Sequence, residues 1–227
     1  MEDNNLDQVY IQRRKDKGHS FYFRLKRRTS EILRLMNKYY NNPQKILDIG
    51  AADGSMLDDI KEKYPVIECI GLEQSREFIK ANKNKNIRII QGDAHSLPFQ
   101  SDTFDVIIAA AIIEHVTRPE KMLEEAHRVL KRGGIFIVTS PNPFFDKVGR
   151  VIGWVMRDRF LKGEKHNIMF NLEKLKKSFK EANFEIIQAD KFMFSPMGVP
   201  GELRIERIIK SLGLSFLLLN QIIVGKK

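Results

Sequence analysis

The apolar positions of this chain change period as one reads along it. Ile32, Leu33, Leu35 and Met36 recur at helical spacing among charges, which predicts a helix over 9–40 that ends at Asn41-Asn42-Pro43. A short apolar run, Lys45-Ile46-Leu47-Asp48-Ile49, then enters the loop Gly50-Ala51-Ala52-Asp53-Gly54, and Met56, Leu57 and Ile60 mark one face of the next helix. The plan repeats with a strand over 66–72 ending at Glu73, a helix over 75–82, a strand over 87–90 and an apolar strand over 104–111. A helix over 119–130, a turn at Lys131-Arg132-Gly133-Gly134 and a strand over 135–139 follow. Strands alternating with helices, and strands apolar along their whole length, predict a mainly parallel α/β sheet covered by helices on both faces.

After Ser140 the pattern breaks at Pro141-Asn142-Pro143. Residues 144–161 are apolar and basic and contain the lone Trp154. Leu172, Leu175 and Phe179 predict an amphipathic helix over 171–181, with Asn183 placed for the left-handed residue that follows a helix, and 184–189 and 217–224 read as two more strands. The 227 residues suit one domain with four parts: an N-terminal helical cap (1–42), a ligand-binding core (43–140), a lid or acceptor insert (141–171), and a C-terminal helix with strands (172–227).

Composition narrows the setting. The single cysteine, Cys69, lies in an apolar run and reads as a buried filler, and no Cys/His spacing suggests a metal site. The acidic, polar start lacks a signal-peptide pattern, and no apolar run approaches the ~20 residues that span a bilayer, so the expected location is the cytoplasm. The net charge is +10, with basic groups concentrated before Pro43. Such a surface suits nucleic acid, anionic lipid or an acidic substrate, and is also what a solvated helix presents.

In open α/β sheets, ligands bind beyond the carboxyl ends of the strands. Asp48 and the glycine loop follow the first strand, Glu73 ends the second, Asp93 follows the third, and Ala110 with Glu114-His115 follows the fourth. Gly50 and Gly54 allow the backbone to approach a ligand closely. The dinucleotide spacing Gly-x-Gly-x-x-Gly fails, because Ala52 and Ser55 stand where glycines belong. Asp48 and Asp53 would repel a pyrophosphate at a helix N-terminus and favour a cationic ligand such as S-adenosylmethionine, with its ammonium and sulfonium groups. Glu73, about twenty residues beyond the loop, suits the two hydroxyls of a ribose. Asp93 suits an adenine amino group, and the Ala94 N–H a ring nitrogen.

Several ordered motifs together resemble a known family. Ile46-Leu47-Asp48-Ile49-Gly50-Ala51-Ala52-Asp53-Gly54 is similar to motif I of class I S-adenosylmethionine-dependent methyltransferases. Ile70-Gly71-Leu72-Glu73, Gln91-Gly92-Asp93-Ala94-His95-Ser96-Leu97-Pro98-Phe99 with Phe104-Asp105-Val106-Ile107, and Arg128-Val129-Leu130-Lys131-Arg132-Gly133-Gly134 resemble the motifs that follow. The small-molecule branch containing the ubiquinone and menaquinone methyltransferases resembles it most. The resemblance implies a Rossmann-like, doubly wound sheet of seven strands with the last antiparallel. It also implies an S-adenosyl-L-methionine pocket of Asp48, Gly50, Ala52, Gly54, Glu73, Asp93, Ala94 and Ala110, in which Ala52 replaces the family's middle glycine.

Methyl transfer from a sulfonium needs alignment more than acid–base power. His115 and His166 are the candidate general bases, with helix-start or loop packing as the competing role of each; His19, His95 and His127 read as surface or packing residues. Phe144, Phe145, Trp154 and Phe160 would wall a small-molecule acceptor site, and the basic insert around them would touch a lipid-like or anionic acceptor or a membrane surface. Two other readings carry weight. The basic charge allows an RNA methyltransferase, although Ala109-Ala110-Ala111 stands where base-modifying enzymes carry Asn/Asp-Pro-Pro-aromatic. Ala52 allows a non-catalytic S-adenosylmethionine-binding protein. Neither the acceptor nor the oligomeric state is written in the sequence.

Overall fold

The computed structural model describes residues 18–145 and 168–227. The elements are α1 (Gly18–Tyr39), β1 (Lys45–Ile49), α2 (Ser55–Lys63), β2 (Glu68–Glu73), α3 (Arg76–Ala81), β3 (Arg88–Gln91), β4 (Phe104–Ala110), α4 (Pro119–Val129), β5 (Leu130–Pro141), α5 (Leu172–Glu181), β6 (Glu185–Phe192), α6 (Glu202–Ser211) and β7 (Asn220–Lys226). Local chemistry sets several ends. Ser75 caps α3 by accepting the Phe78 N–H, Asn171 caps α5 by accepting the Lys174 N–H, and Pro119 occupies the first turn of α4. Asn183 takes the left-handed conformation after α5, at φ 63°.

The seven strands form one sheet in the order β3-β2-β1-β4-β5-β7-β6. Neighbouring strands from β3 to β5 run parallel, and β7 is antiparallel to both β5 and β6. The predicted doubly wound topology with an antiparallel last strand is therefore the observed one. Alternation along the strands divides the core in two. Leu47, Ile49, Phe104, Ile107 and Ala109 face Met122, Leu123, Leu175 and Phe179 of α4 and α5. Ile46, Val106 and Ile108 face Ile32, Leu35, Leu57 and Ile60 of α1 and α2. By the same alternation Asp48 falls on the α1/α2 face.

Three elements depart from the sequence reading. Lys131-Arg132-Gly133-Gly134, expected as a turn, lies inside β5, and the β4–β5 register shifts between Phe104 and Val106 to accommodate it. β2 begins at Glu68 rather than at Val66, which is exposed. The pattern did not predict α6 at all.

Candidate functional site

The carboxyl ends of β1, β2 and β3, with the segment after β4, enclose a cleft of about 390 Å³. Gly50, Glu73, Asp93, Ala94 and His115 line it, with His95, Ile112 and Arg118. Of the other expected ligand residues, Asp48, Ala52, Gly54 and Ala110 do not line it. Ala110, at the end of β4, packs against the α1/α2 side of the core.

The loop after β1 is shaped by contact. Gly50 has φ 78°, and a Cβ there would come within 2.8 Å of the Ile112 side chain, so only glycine leaves this wall in place. Ala52 also lies in the left-handed region, at φ 51°. That conformation favours glycine; alanine costs about 1 kcal/mol of backbone strain. The loop nonetheless keeps its geometry, because the Ala52 N–H donates to Glu73 Oε2 at 2.8 Å while the Ser75 N–H donates to Oε1 at 2.9 Å. Glu73 is thereby fixed at the cleft wall, and each oxygen retains a second lone-pair direction.

Asp93 is oriented differently. Its Oδ1 accepts the His95 N–H at 2.9 Å and lies 2.6 Å from His95 Nδ1. His95 Nε2 accepts the Arg118 N–H at 3.3 Å, which assigns the ring proton to Nδ1. The backbone bond from His95 leads the causes that hold the Asp93 carboxyl below its ordinary value, against burial. His95, read from sequence as a surface or packing residue, thus lines the cleft and orients Asp93. Its position in a short polar loop gave no periodic signal to find it by. Asp53, expected to act as a loop charge, instead accepts the Ser55 N–H and hydroxyl and stabilises the start of α2.

Asp48 is 2% exposed, and its Oδ1 has no hydrogen-bond partner. Burial, then repulsion by Glu73, raises its pKa from 3.8 to about 8 against the opposing charge of Arg28. A cationic ligand near this carboxyl favours the ionised form, so binding expels a proton below pH ~8 and affinity rises with pH up to that point. Calorimetry in two buffers of different ionisation enthalpy should detect the released proton on S-adenosylmethionine binding at pH 7, and Asp48→Asn should abolish it. The same shift makes the ligand-free protein lose stability as pH rises from about 4 to about 8, because the folded state holds a proton that the unfolded state has released.

The other expected residues fall in different places. His127 packs edge-on against Phe184, and Cys69 is buried, its thiol pushed up to about 11 chiefly by burial. Phe144 stacks edge-on against both Phe145 and Phe216. His166, Trp154 and Phe160 lie outside the described residues. Among the described residues no group of three or more His, Cys, Asp or Glu is arranged to hold a metal ion, and no helix is long and apolar enough to cross a membrane.

This arrangement, acids at successive parallel strand ends around a glycine loop, is the one that the resemblance to class I S-adenosylmethionine-dependent methyltransferases implies. Residues 47–138 match the family model described as Methyltransferase domain. Demethylmenaquinone methyltransferase of Thermotoga maritima is 36% identical over 104 residues, 45% of each chain. The chloroplastic 2-methyl-6-phytyl-1,4-hydroquinone methyltransferase 1 of rice is 32% identical over 106 residues, covering 45% of this chain and 32% of that protein. The matches thus span less than half the length of these two relatives. A Haloferax volcanii methyltransferase solved in complex with the Trm112 activator shares the fold, with a TM-score of 0.69 at 18% identity over 97% of this chain and 96% of that one.

The residues present fit the cofactor. The Glu73 and Asp93 carboxyls line the cleft, and the orphaned Oδ1 of the buried Asp48 belongs to a carboxyl whose ionised form a nearby cation would favour.

Proposed function

We propose that the chain transfers a methyl group from S-adenosylmethionine to a lipid-like small-molecule acceptor of the hydroquinone type. The observation that carries the methyl-donor part is the convergence of Glu73, Asp93 and Ala94, from two successive strand ends, on the cleft walled by Gly50. The acceptor part is supported by the names of the relatives given above and by the apolar Phe144–Phe145–Phe216 cluster at the neighbouring strand end.

When bound, the cofactor supplies an electrophilic methyl on a good leaving group. The chain's part is to hold and orient. In this reading Glu73 takes the ribose hydroxyls, Asp93 and Ala94 take the adenine edge, Gly50 faces the charged methionine end, and the buried Asp48 acts on that end through its charge. His115 lines the same cleft beyond β4 and is the candidate to accept the proton that the acceptor loses. His166 remains a second candidate, assigned from the sequence alone.

Calorimetric titration with S-adenosylmethionine, S-adenosylhomocysteine and NAD tests the first part: micromolar binding of the first two without NAD is expected. Methyl transfer to a short-chain hydroquinone tests the second. His115→Ala should lower kcat by about 100-fold with little change in cofactor affinity. Equal turnover in that variant would remove His115 from the mechanism.

A further inference from the structure

Helix α6 carries apolar residues on the side that faces water as well as on the side that packs. Its acids point inward. Glu206 pairs with Arg27 at 2.6 Å and Lys210 at 3.1 Å and accepts the Met193 N–H, while Glu202 accepts the Phe194 N–H. Ile209 is buried beside them, but the opposite side is apolar as well: Leu203 is 61% exposed, Ile208 52% and, just past the end, Leu212 65%. Arg204 and Arg207 share that outer face, so it carries apolar bulk and positive charge and no carboxylate. The pattern extends beyond the helix. Seven of the ten exposed large hydrophobics among the described residues fall between Phe194 and Phe216, including Met197 and Val199 before α6 and Phe216 after it.

The register places this surface. Pro141 at the carboxyl end of β5 pairs with Asn220 at the start of β7, which in turn pairs with Phe192 at the end of β6. The segment between Phe192 and Asn220 therefore leaves and re-enters the sheet at its carboxyl edge, the edge that holds the cleft. Two anchors fix it there: the Asn142 amide donates to the Phe216 and Leu218 carbonyls, and the Leu219 N–H donates to the Met193 carbonyl. The Phe144–Phe216 contact joins it to the aromatic cluster beside the cleft.

Single exposed leucines are ordinary on a surface, but apolar residues clustered as they are between Phe194 and Phe216 mark an interaction site. An apolar strip bordered by arginines and free of acids matches the interface of a bilayer with anionic headgroups, in a chain of net charge +10. We propose that the outer face of α6, with the flanking Met197, Val199, Leu212 and Phe216, docks the protein on an anionic membrane surface. The carboxyl edge of the sheet then faces the lipid, and an acceptor dissolved in the bilayer reaches the cleft without crossing water. This deepens the hydroquinone-type reading and rests on it for its purpose, but the docking is measurable without any acceptor.

The test is flotation of the full chain with vesicles of phosphatidylcholine, with and without phosphatidylglycerol. Wild type should bind the anionic vesicles about 30-fold more tightly. Leu203→Ser/Ile208→Ser should lose at least ~10-fold of that binding, and Arg204→Gln/Arg207→Gln should lose the preference for anionic lipid, both with unchanged Tm and unchanged S-adenosylhomocysteine binding. No vesicle binding by wild type, or binding that neither double variant alters, overturns the proposal. So does a wild-type dimer that Leu203→Ser/Ile208→Ser dissociates, which would make the face a contact between copies. Turnover of a water-soluble short-chain hydroquinone without vesicles reports on the acceptor reading alone, so the two ideas fail separately.

Discussion

Glu73→Ala should weaken binding of both S-adenosylmethionine and S-adenosylhomocysteine by about 100-fold, the largest effect of any single substitution in the cleft. Two hydrogen bonds to a charged carboxylate contribute ~1.5 kcal/mol or more each, and a tenfold change in affinity is ~1.4 kcal/mol. The variant also frees the Ala52 and Ser75 N–H groups that Glu73 accepts, so the loop carrying the strained Ala52 loses its tie to β2. Glu73→Gln is expected to do little better. Its carboxamide has one acceptor and one donor, so one of those two N–H groups would face an NH₂. Because the acid addresses the part of the ligand common to both molecules, the two affinities should fall together. Calorimetry on both ligands checks this. A loss confined to S-adenosylmethionine would mean that Glu73 acts on the sulfonium rather than on the ribose.

Asp105→Ala should be the most destabilising single polar substitution, by about 3 kcal/mol, lowering Tm by roughly 10 °C. Asp105 is buried and accepts four bonds: from the Gln44 and Lys45 N–H groups, each at 2.9 Å, from the Tyr40 hydroxyl at 3.0 Å and from Lys131 Nζ at 2.8 Å. It thereby fastens the connection between α1 and β1 to β4 and β5. Its removal strands two main-chain donors and a hydroxyl at once. Burial works to raise the Asp105 pKa, but the bonds from Lys131, Gln44, Lys45 and Tyr40 outweigh it and hold the carboxyl below its ordinary value. A lowered carboxylate pKa contributes stability above the unfolded value, near 4, that is lost as pH falls through the folded one. The Tm difference between wild type and variant should therefore be full at pH 7 and shrink below pH ~4. A constant difference across that range would show that the loss is one of packing alone.

The cleft-lining acids were legible early because the sheet obeys local rules. Ile46 to Ile49 and Phe104 to Ala109 are apolar apart from Asp48 and Asp105, as strands buried on both faces tend to be, so Glu73 and Asp93 stood out as polar residues at strand ends. The resemblance to methyltransferase motifs fell on the same residues, and the match over 47–138 bears it out. The failures have physical causes too. Lys131 to Gly134 has turn composition and bulges out of the β4–β5 ladder with Gly133 at φ 78°; it falls within the span of β5 because Leu130 pairs with Phe104 before it and Ile135 with Val106 after it. α6 went unread although Ile205, Ile208, Ile209 and Leu212 stand at helical spacing; which side of it turns inward is set by the partners of Glu202 and Glu206, which the local pattern does not carry.

The sequence by itself determined which segments are strands and helices along the sheet, and which polar residues meet at the ends of the parallel strands. Those are consequences of local hydrophobic period and turn chemistry, which each short segment carries within itself. The tertiary structure alone decided that Asp48 is buried with an orphaned oxygen, that His95 orients Asp93, and that Glu206 is satisfied by Arg27 from far along the chain. Burial, pKa and the satisfaction of a polar group depend on what packs against it. Here that partner comes from an element distant in sequence, and only the closed sheet with its helices brings the two together.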